Sequence, residues 1–284
     1  MGFSGVMLKA MGRAFTAELS FNLLSIRVLS AKVLSISTLS LTLLSVSALG
    51  TSMVQAASEE SLPGLSIEPL AENVYLHQSF QRVEGFGLVS ANGLVVVNQG
   101  KAFIVDTPWS ETDTAALVDW ISVKGYQLVG SVSTHSHEDR TAGIGWLNAQ
   151  SIATFASELT NQILHESKKP LANHPFALPQ ASLFDGKLEA FYPGGGHAKD
   201  NLVVWLPQSN ILFGGCLVRS LDSTSLGYTG EAVLAEWPTS ATKVLAKYPD
   251  VELVVPGHGN TGDKQLLIHT QALAETGAKQ ASAK

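Results

Sequence analysis

Thr134-His135-Ser136-His137-Glu138-Asp139-Arg140 follows directly on Leu128-Val129-Gly130-Ser131-Val132, an apolar run that reads as a buried strand. Chain leaving the end of such a strand can turn several side chains toward one point. Here it carries the imidazoles of His135 and His137 and the carboxylate of Asp139 within five residues. Imidazole nitrogen and carboxylate oxygen both suit a borderline metal ion such as zinc. A pair of histidines two apart also arises by chance on ordinary loops, so this stretch alone leaves both readings open.

Three later segments decide between them. Gly194-Gly195-Gly196-His197, Gly214-Gly215-Cys216 and Pro256-Gly257-His258-Gly259 each set one imidazole or thiol ligand beside glycines. Each also follows an apolar run: Leu188 to Tyr192, Ile211-Leu212-Phe213 and Leu253-Val254-Val255. Glycine lets the backbone approach closely, as loops crowding around an ion require. The pattern predicts four strand ends delivering ligands to one rim. His135, His137, His197, Asp139, Cys216 and His258 suffice for two zinc ions that keep a position open for water. A structural zinc would be closed by four protein ligands, so the constellation points to catalysis.

These residues carry a resemblance. His135-x-His137-x-Asp139-Arg140, with His197, Cys216 and His258 at these intervals, resembles the metallo-β-lactamases with one three-histidine site and one Asp-Cys-His site. Ile104-Val105-Asp106-Thr107-Pro108, Gly143 to Asn148, Asp200 to Pro207 and Glu236-Trp237-Pro238 are similar as well, and the likeness runs from about Leu65 to Leu273. Thioesterases, nucleases and lactonases of the wider superfamily usually carry a second His after the Asp and a metal-bridging Asp. Arg140 and Cys216 stand in those places here.

The resemblance implies an α/β fold, a four-layer αβ/βα sandwich of two mixed β-sheets with helices on the outer faces. It implies that His135, His137 and His197 bind one Zn2+ while Asp139, Cys216 and His258 bind a second. Hydroxide held on the metal would open the β-lactam amide of penicillins, cephalosporins and carbapenems, with Asp139 as the catalytic residue that orients it. Arg219 stands where relatives carry a basic group gripping the substrate carboxylate, and a fixed cation suits an anionic ligand. Tyr228 stands where relatives usually carry an Asn, and it is expected to contact substrate from there with a phenol of different reach. Asn201 is expected to bind substrate, together with Arg219, Phe80 and Tyr228. Phe80 is expected on a loop, Gln78 to Gly85, that closes over substrate. Arg140 is expected to brace the metal loops. His77, His165, His174 and His269 lack ligand spacing and are read as structural.

Charge and cysteine usage narrow the partners. The 284 residues carry net charge −6, with +3 on residues 1–57, so the remainder carries −9. Such an acidic body gives no electrostatic case for nucleic acid. Cys216 is the only cysteine, which excludes an intramolecular disulfide and leaves the compartment undecided on that ground. The expected partner is a small-molecule β-lactam bound to a monomer.

Residues 1–57 read as a leader. Basic residues end at Lys32, an apolar stretch runs from Val33 to Leu49, and small residues follow at Val54-Gln55-Ala56-Ala57. That order describes a secretory signal peptide cut near Ala56 or Ala57, which puts the catalytic domain, 58–284, in the periplasm with no stable membrane insertion. The leader exceeds the usual ~15–30 residues, and a start codon assigned too far upstream would explain the excess. A five-residue repeat between residues 23 and 47 matches neither helix nor strand periodicity.

Further elements are expected as follows. Leu65 to Pro69 and Val74 to His77 are short strands; Phe86 to Ser90 and Gly93 to Asn98 form a hairpin turning at Ala91-Asn92-Gly93. Ala102 to Val105 continues the sheet. Glu111 to Lys124 is a helix capped by Ser110, and Thr141 to Asn148 and Ser157 to Glu166 are helices too. Asn173 to Pro179 is a Pro-rich loop. Leu188 to Tyr192, Leu202 to Trp205 and Ile211 to Phe213 are strands of a second sheet, and Glu231 to Ala246 and Gly262 to Ala278 are largely helical. Two alternatives accompany the β-lactamase reading: a hydrolase of other esters or lactones, and a zinc-binding protein without turnover.

Overall fold

The computed structural model of the chain describes residues 61–283. The expected leader and its cleavage point lie outside the described residues. Within them, β1 (Ser66–Ala71), β2 (Val74–Val83), β3 (Gly87–Asn98) and β4 (Lys101–Val105) form an antiparallel meander. Helix α1 (Glu111–Val123) returns the chain to β5 (Gln127–Val132), which pairs parallel with β4. After α2 (Glu138–Thr141) and α3 (Ile144–Ala149) come β6 (Ala153–Ser157), α4 (Glu158–Glu166) and β7 (His174–Phe176), the strands again parallel. This seven-stranded sheet runs in chain order from β1 to β7.

The second sheet starts with the antiparallel strands β8 (Gln180–Leu183), β9 (Leu188–Phe191), β10 (Val203–Leu206) and β11 (Ile211–Gly215). Helix α5 (Trp237–Lys247) leads to β12 (Leu253–Pro256), parallel to β11, and α6 (Gln265–Ser282) follows. Its order is β12-β11-β10-β9-β8, so both sheets are mixed.

Alternation along the strands sorts the layers. Leu94, Val96, Phe103 and Val105 face Leu188, Val204, Ile211 and Phe213 of the other sheet in one shared core. Their neighbours Val95, Val97, Ala102 and Ile104 pack instead on Leu117 and Ile121, one turn apart on α1. Val203, Leu212 and Val254 are covered by Trp237, Val244, Leu266 and Leu267 of α5 and α6. A sheet buried on both faces reads as a continuous apolar run, as Leu94 to Val97 does. The result is the expected four-layer sandwich. Among the described residues, no helix is long and apolar enough to cross a membrane.

Local capping agrees with the sequence reading. Ser110 accepts the Asp113 N–H at 3.0 Å and Ser157 accepts that of Thr160 at 2.9 Å, each satisfying a donor at a helix start.

Several boundaries differ. Asn92-Gly93 is no turn: β3 runs through it, and the hairpin turns at Glu84 to Phe86 with Gly85 at φ 79°. Asn92 is buried, and its amide donates to the carbonyls of Pro256 and Gly259, both at 2.9 Å. Gly93 is there for space, since a Cβ would lie 2.3 Å from the His77 ring. Accordingly the expected loop Gln78 to Gly85 is mostly strand, paired residue for residue with β3. Thr141 to Asn148 is split between two short helices because Thr107 Oγ1 accepts the Gly143 N–H, taking that donor out of the helical ladder. Helix α5 starts at Trp237 rather than Glu231, since Pro238 can occupy only a helix's first turn. A short strand, β7, lies within the Pro-rich stretch, and β6 had no counterpart in the sequence reading.

Candidate metal centre

The chain leaves β5 at Ser133 and is pinned by Asp106. That buried carboxylate accepts the Thr134 N–H at 2.6 Å and the Thr134 hydroxyl at 2.8 Å. His135 and His137 follow, and α2 begins at Glu138, so Asp139 projects from its first turn. The Leu202 N–H bonds Thr134 O at 2.7 Å and the Gly257 N–H bonds Gly215 O at 2.7 Å. These bonds tie the loop after β5 to the loop after β9, and the end of β11 to the loop after β12, at one edge of the sandwich.

All six predicted donors meet there. The rings of His135, His137 and His197 lie 4.6 to 5.2 Å apart, centroid to centroid, all nearly perpendicular. Nδ1 of His137 and Nε2 of His197 are 3.1 Å apart. Beside them, Cys216 Sγ is 3.5 Å from Asp139 Oδ2 and 3.3 Å from His258 Nε2, and that nitrogen is 3.2 Å from Asp139 Oδ2. Asp139 belongs both to a donor group with His135 and His137 and to one with Cys216 and His258.

The protonation states suit a cation. Burial holds His135 well below the ordinary imidazole value, with His137 adding to it; burial, then His137, brings His197 to about 3. Both are therefore neutral, with lone pairs available. Neither ring nitrogen of His135, nor Nδ1 of His197, has a hydrogen-bond partner among the described residues. Burial would raise Asp139, but Arg140 and His258 hold it well below the usual carboxylate range. Burial would lower His258, but Cys216 and Asp139 push it up to about 10. The Asp-Cys-His cluster thus calls for a positive charge, which a metal ion supplies when it displaces that proton. Soft sulfur, imidazole and carboxylate in two adjoining groups, with orphaned imidazole nitrogens between them, fit a zinc-type ion.

Ligand orientation is fixed from behind. His258 Nδ1 donates to Ser90 O at 2.7 Å, leaving Nε2 toward Cys216. Nε2 of His137 meets the Glu231 carboxylate, leaving Nδ1 toward His197. Arg140, fully buried, holds Asp139 Oδ2, the carbonyls of Asn92 and Gly257, and Asp106.

A cleft of about 560 Å³ opens over the cluster. Val83, Phe86 and Val89 of the β2–β3 hairpin line one side, and Arg219, Gly227, Tyr228 and Glu231 line another. Arg219 lies in the wall with its Nε buried and without a hydrogen-bond partner among the described residues. Tyr228 is half exposed, its ring 6.1 Å from that of His137. Asn201 does not reach the cleft: it accepts the Ala198 N–H and donates to Gly194 O, bracing the loop that bears His197. Phe80 is not in the lining either. Three residues from Val83 along a strand, it lies on the opposite face of the hairpin.

Sequence reasoning missed Trp109, whose ring lies 6.0 Å from that of His258, and Glu231. It also missed Glu138 and Lys169, which pair at the rim. Trp109 directly follows Thr107-Pro108 and so could have been suspected. Nothing in the sequence marks Glu231 or Lys169, because each arrives from a distant loop.

Two adjoining donor clusters at the edge of a four-layer β-sandwich, open to a cleft with a half-buried cation in its wall, define a metallohydrolase. Comparison with known proteins gives the family. Residues 86–258 match the family described as Metallo-beta-lactamase superfamily. The chain is 46% identical over 224 residues to a metallo-beta-lactamase type 2 of Pseudomonas aeruginosa, across 79% of this chain and 90% of the relative. It is 37% identical to a metallo-beta-lactamase type 2 of Bacteroides fragilis, across 74% and 85%. Among solved structures it is similar to the DIM-1 metallo-beta-lactamase exposed to ceftazidime (59% identity, TM-score 0.76, 76% of this chain and 99% of that one). It is likewise similar to TMB-1 (60% identity, TM-score 0.75, 76% and 99%). The chain belongs to the metallo-beta-lactamases.

Proposed function

We propose that this chain is a periplasmic β-lactamase that holds two zinc ions and hydrolyses the amide bond of β-lactam antibiotics, conferring resistance to them. The observation that carries the reading is the Asp139-Cys216-His258 cluster within hydrogen-bond reach of itself, directly beside the three-histidine cluster. His135, His137 and His197 would hold one ion, and Asp139, Cys216 and His258 the other. When bound, zinc acts as a Lewis acid that polarises a carbonyl and makes hydroxide available near neutral pH.

The chain's own groups supply the rest. Asp139 sits between the two clusters, where its carboxylate can accept a hydrogen bond from the attacking water and orient it. Arg219, half buried in the cleft wall, would receive the substrate carboxylate through its terminal nitrogens. Val83, Phe86 and Val89 supply an apolar wall for the substrate's side chains. Tyr228 borders the cleft over His137, a place from which its hydroxyl can reach substrate. Asn201 acts through the loop it braces. Export depends on residues 1–57 as a cleaved leader.

Purified protein with a chromogenic cephalosporin, assayed with and without a chelator, tests this. Hydrolysis abolished by the chelator and restored by zinc is expected. A protein that binds two zincs and leaves the β-lactam intact would refute it. Amino-terminal sequencing of the exported chain checks the leader, and retention of Leu44 would refute cleavage.

A further inference from the structure

The loop that carries Arg219 is laid along α6. The Arg219 N–H donates to Thr270 Oγ1 at 2.8 Å, and the same hydroxyl donates to Leu266 O one turn back at 2.7 Å. Thr270 is fully buried. Its proton is committed to the helix, so a lone pair is aimed at Arg219, and only Ser or Thr can do both. Further along, His269 Nε2 meets Ser223 O at 2.8 Å, and Asn260 donates to Asp222 at 2.7 Å. Leu226 seats against Gly277, where an added Cβ would lie 2.7 Å from its Cδ1. The next residue, Gly227, passes beneath the Arg219 guanidinium, its Cβ position 3.1 Å from a terminal nitrogen.

From this geometry we infer that Thr270 is a positioning residue for substrate recognition. It sets where the Arg219 guanidinium stands in the cleft wall, while the Leu226–Gly277 seat holds the far end of the loop. The inference rests on the reading of Arg219 as the anchor of the substrate carboxylate. Arg219 is long and has several rotatable bonds, so a guanidinium held at Nε by no hydrogen bond depends on its backbone for placement. Loss of the Thr270 bond leaves the half-buried Arg219 N–H without its partner, and the loop relieves that cost by moving. Such movement displaces the cation without touching any metal donor.

The test uses the zinc-loaded full-length enzyme and a chromogenic cephalosporin, as the free acid and as its methyl ester. Thr270→Val should raise KM for the free acid about fivefold, the effect of one hydrogen bond, with kcat and zinc content little changed. KM for the ester, which lacks the anion, should not move. Thr270→Ser should restore the wild-type KM. Gly277→Ala, which presses on Leu226 from a helix position that accepts alanine, should raise the acid KM in the same way. That variant keeps the question open to measurement should Thr270→Val fail to fold. An unchanged acid KM in these variants, or an equal rise for acid and ester, would overturn the inference. Arg219→Ala in the same assay separates the two readings. If it leaves the acid KM unaltered, the anchor role itself fails; if it raises that KM while Thr270→Val and Gly277→Ala do not, only the positioning role fails.

Discussion

Arg140 holds its chain neighbour Asp139 by two nitrogens, Nε at 2.9 Å and a terminal nitrogen at 2.8 Å, both on Oδ2. The same guanidinium reaches Asp106 and two backbone carbonyls, and no part of its side chain is exposed. One cation thus links β3, the loop after β4, α2 and the loop after β12, behind the candidate metal site. Arg140→Met keeps the length and removes every one of these bonds. It should lower stability of the metal-free protein by about 3–5 kcal/mol, the cost of leaving buried carboxylates unpaired. Urea unfolding of both proteins after chelation measures the difference, and a loss under 1 kcal/mol would contradict the role.

Cys216→Ser exchanges a soft thiolate for a hard, neutral hydroxyl in the cluster with Asp139 and His258. Zinc content after dialysis should fall from two toward one per chain, and turnover should drop far more than the melting temperature. Retention of two zincs would show that sulfur is not a ligand.

Glu231 bonds Nε2 of His137 and so keeps Nδ1 turned toward His197. Removing such a partner typically weakens a metal site 10- to 100-fold. Glu231→Ala should therefore raise the zinc dissociation constant of the three-histidine site by about that factor, read by competition with a chromogenic chelator. Equal affinity in the two proteins would mean that the contact is idle.

His77 is buried, with Nε2 3.0 Å from Asp106 O, and burial lowers its pKa to about 3. The folded value lies below the unfolded one, near ~6.5, so the unfolded chain takes up the proton first. The stability that depends on this group is present in full above pH 6.5 and is lost as pH falls toward 3. Between pH 7 and 5 the wild type should lose about 2 kcal/mol more than His77→Gln, which donates a similar bond without titrating. Urea midpoints of the two proteins at both pH values give the comparison, and parallel losses would exclude His77 as the cause.

Reading the sequence alone picked out the six side chains that converge at one edge and the two clusters of strands with helices outside, because strands and the glycine-rich loops that follow them leave local marks. Leu128 to Val132 ahead of His135, and Leu253 to Val255 ahead of His258, show as apolar runs ending in glycine or in ligands. The Ser110 and Ser157 caps are equally local, each hydroxyl serving an N–H three residues on. Asn92-Gly93 misled for the opposite reason. Its turn-forming chemistry is real, but the Asn92 amide is taken by carbonyls of Pro256 and Gly259, far along the chain, and Gly93 makes room for His77. Only the tertiary structure could assign Glu231 to His137, turn Val83 rather than Phe80 into the cleft, or lay Arg219 on Thr270. Each of those depends on which residue a distant segment brings near. Sequence spacing carries such information for neighbours along a strand or helix turn and does not carry it across a fold.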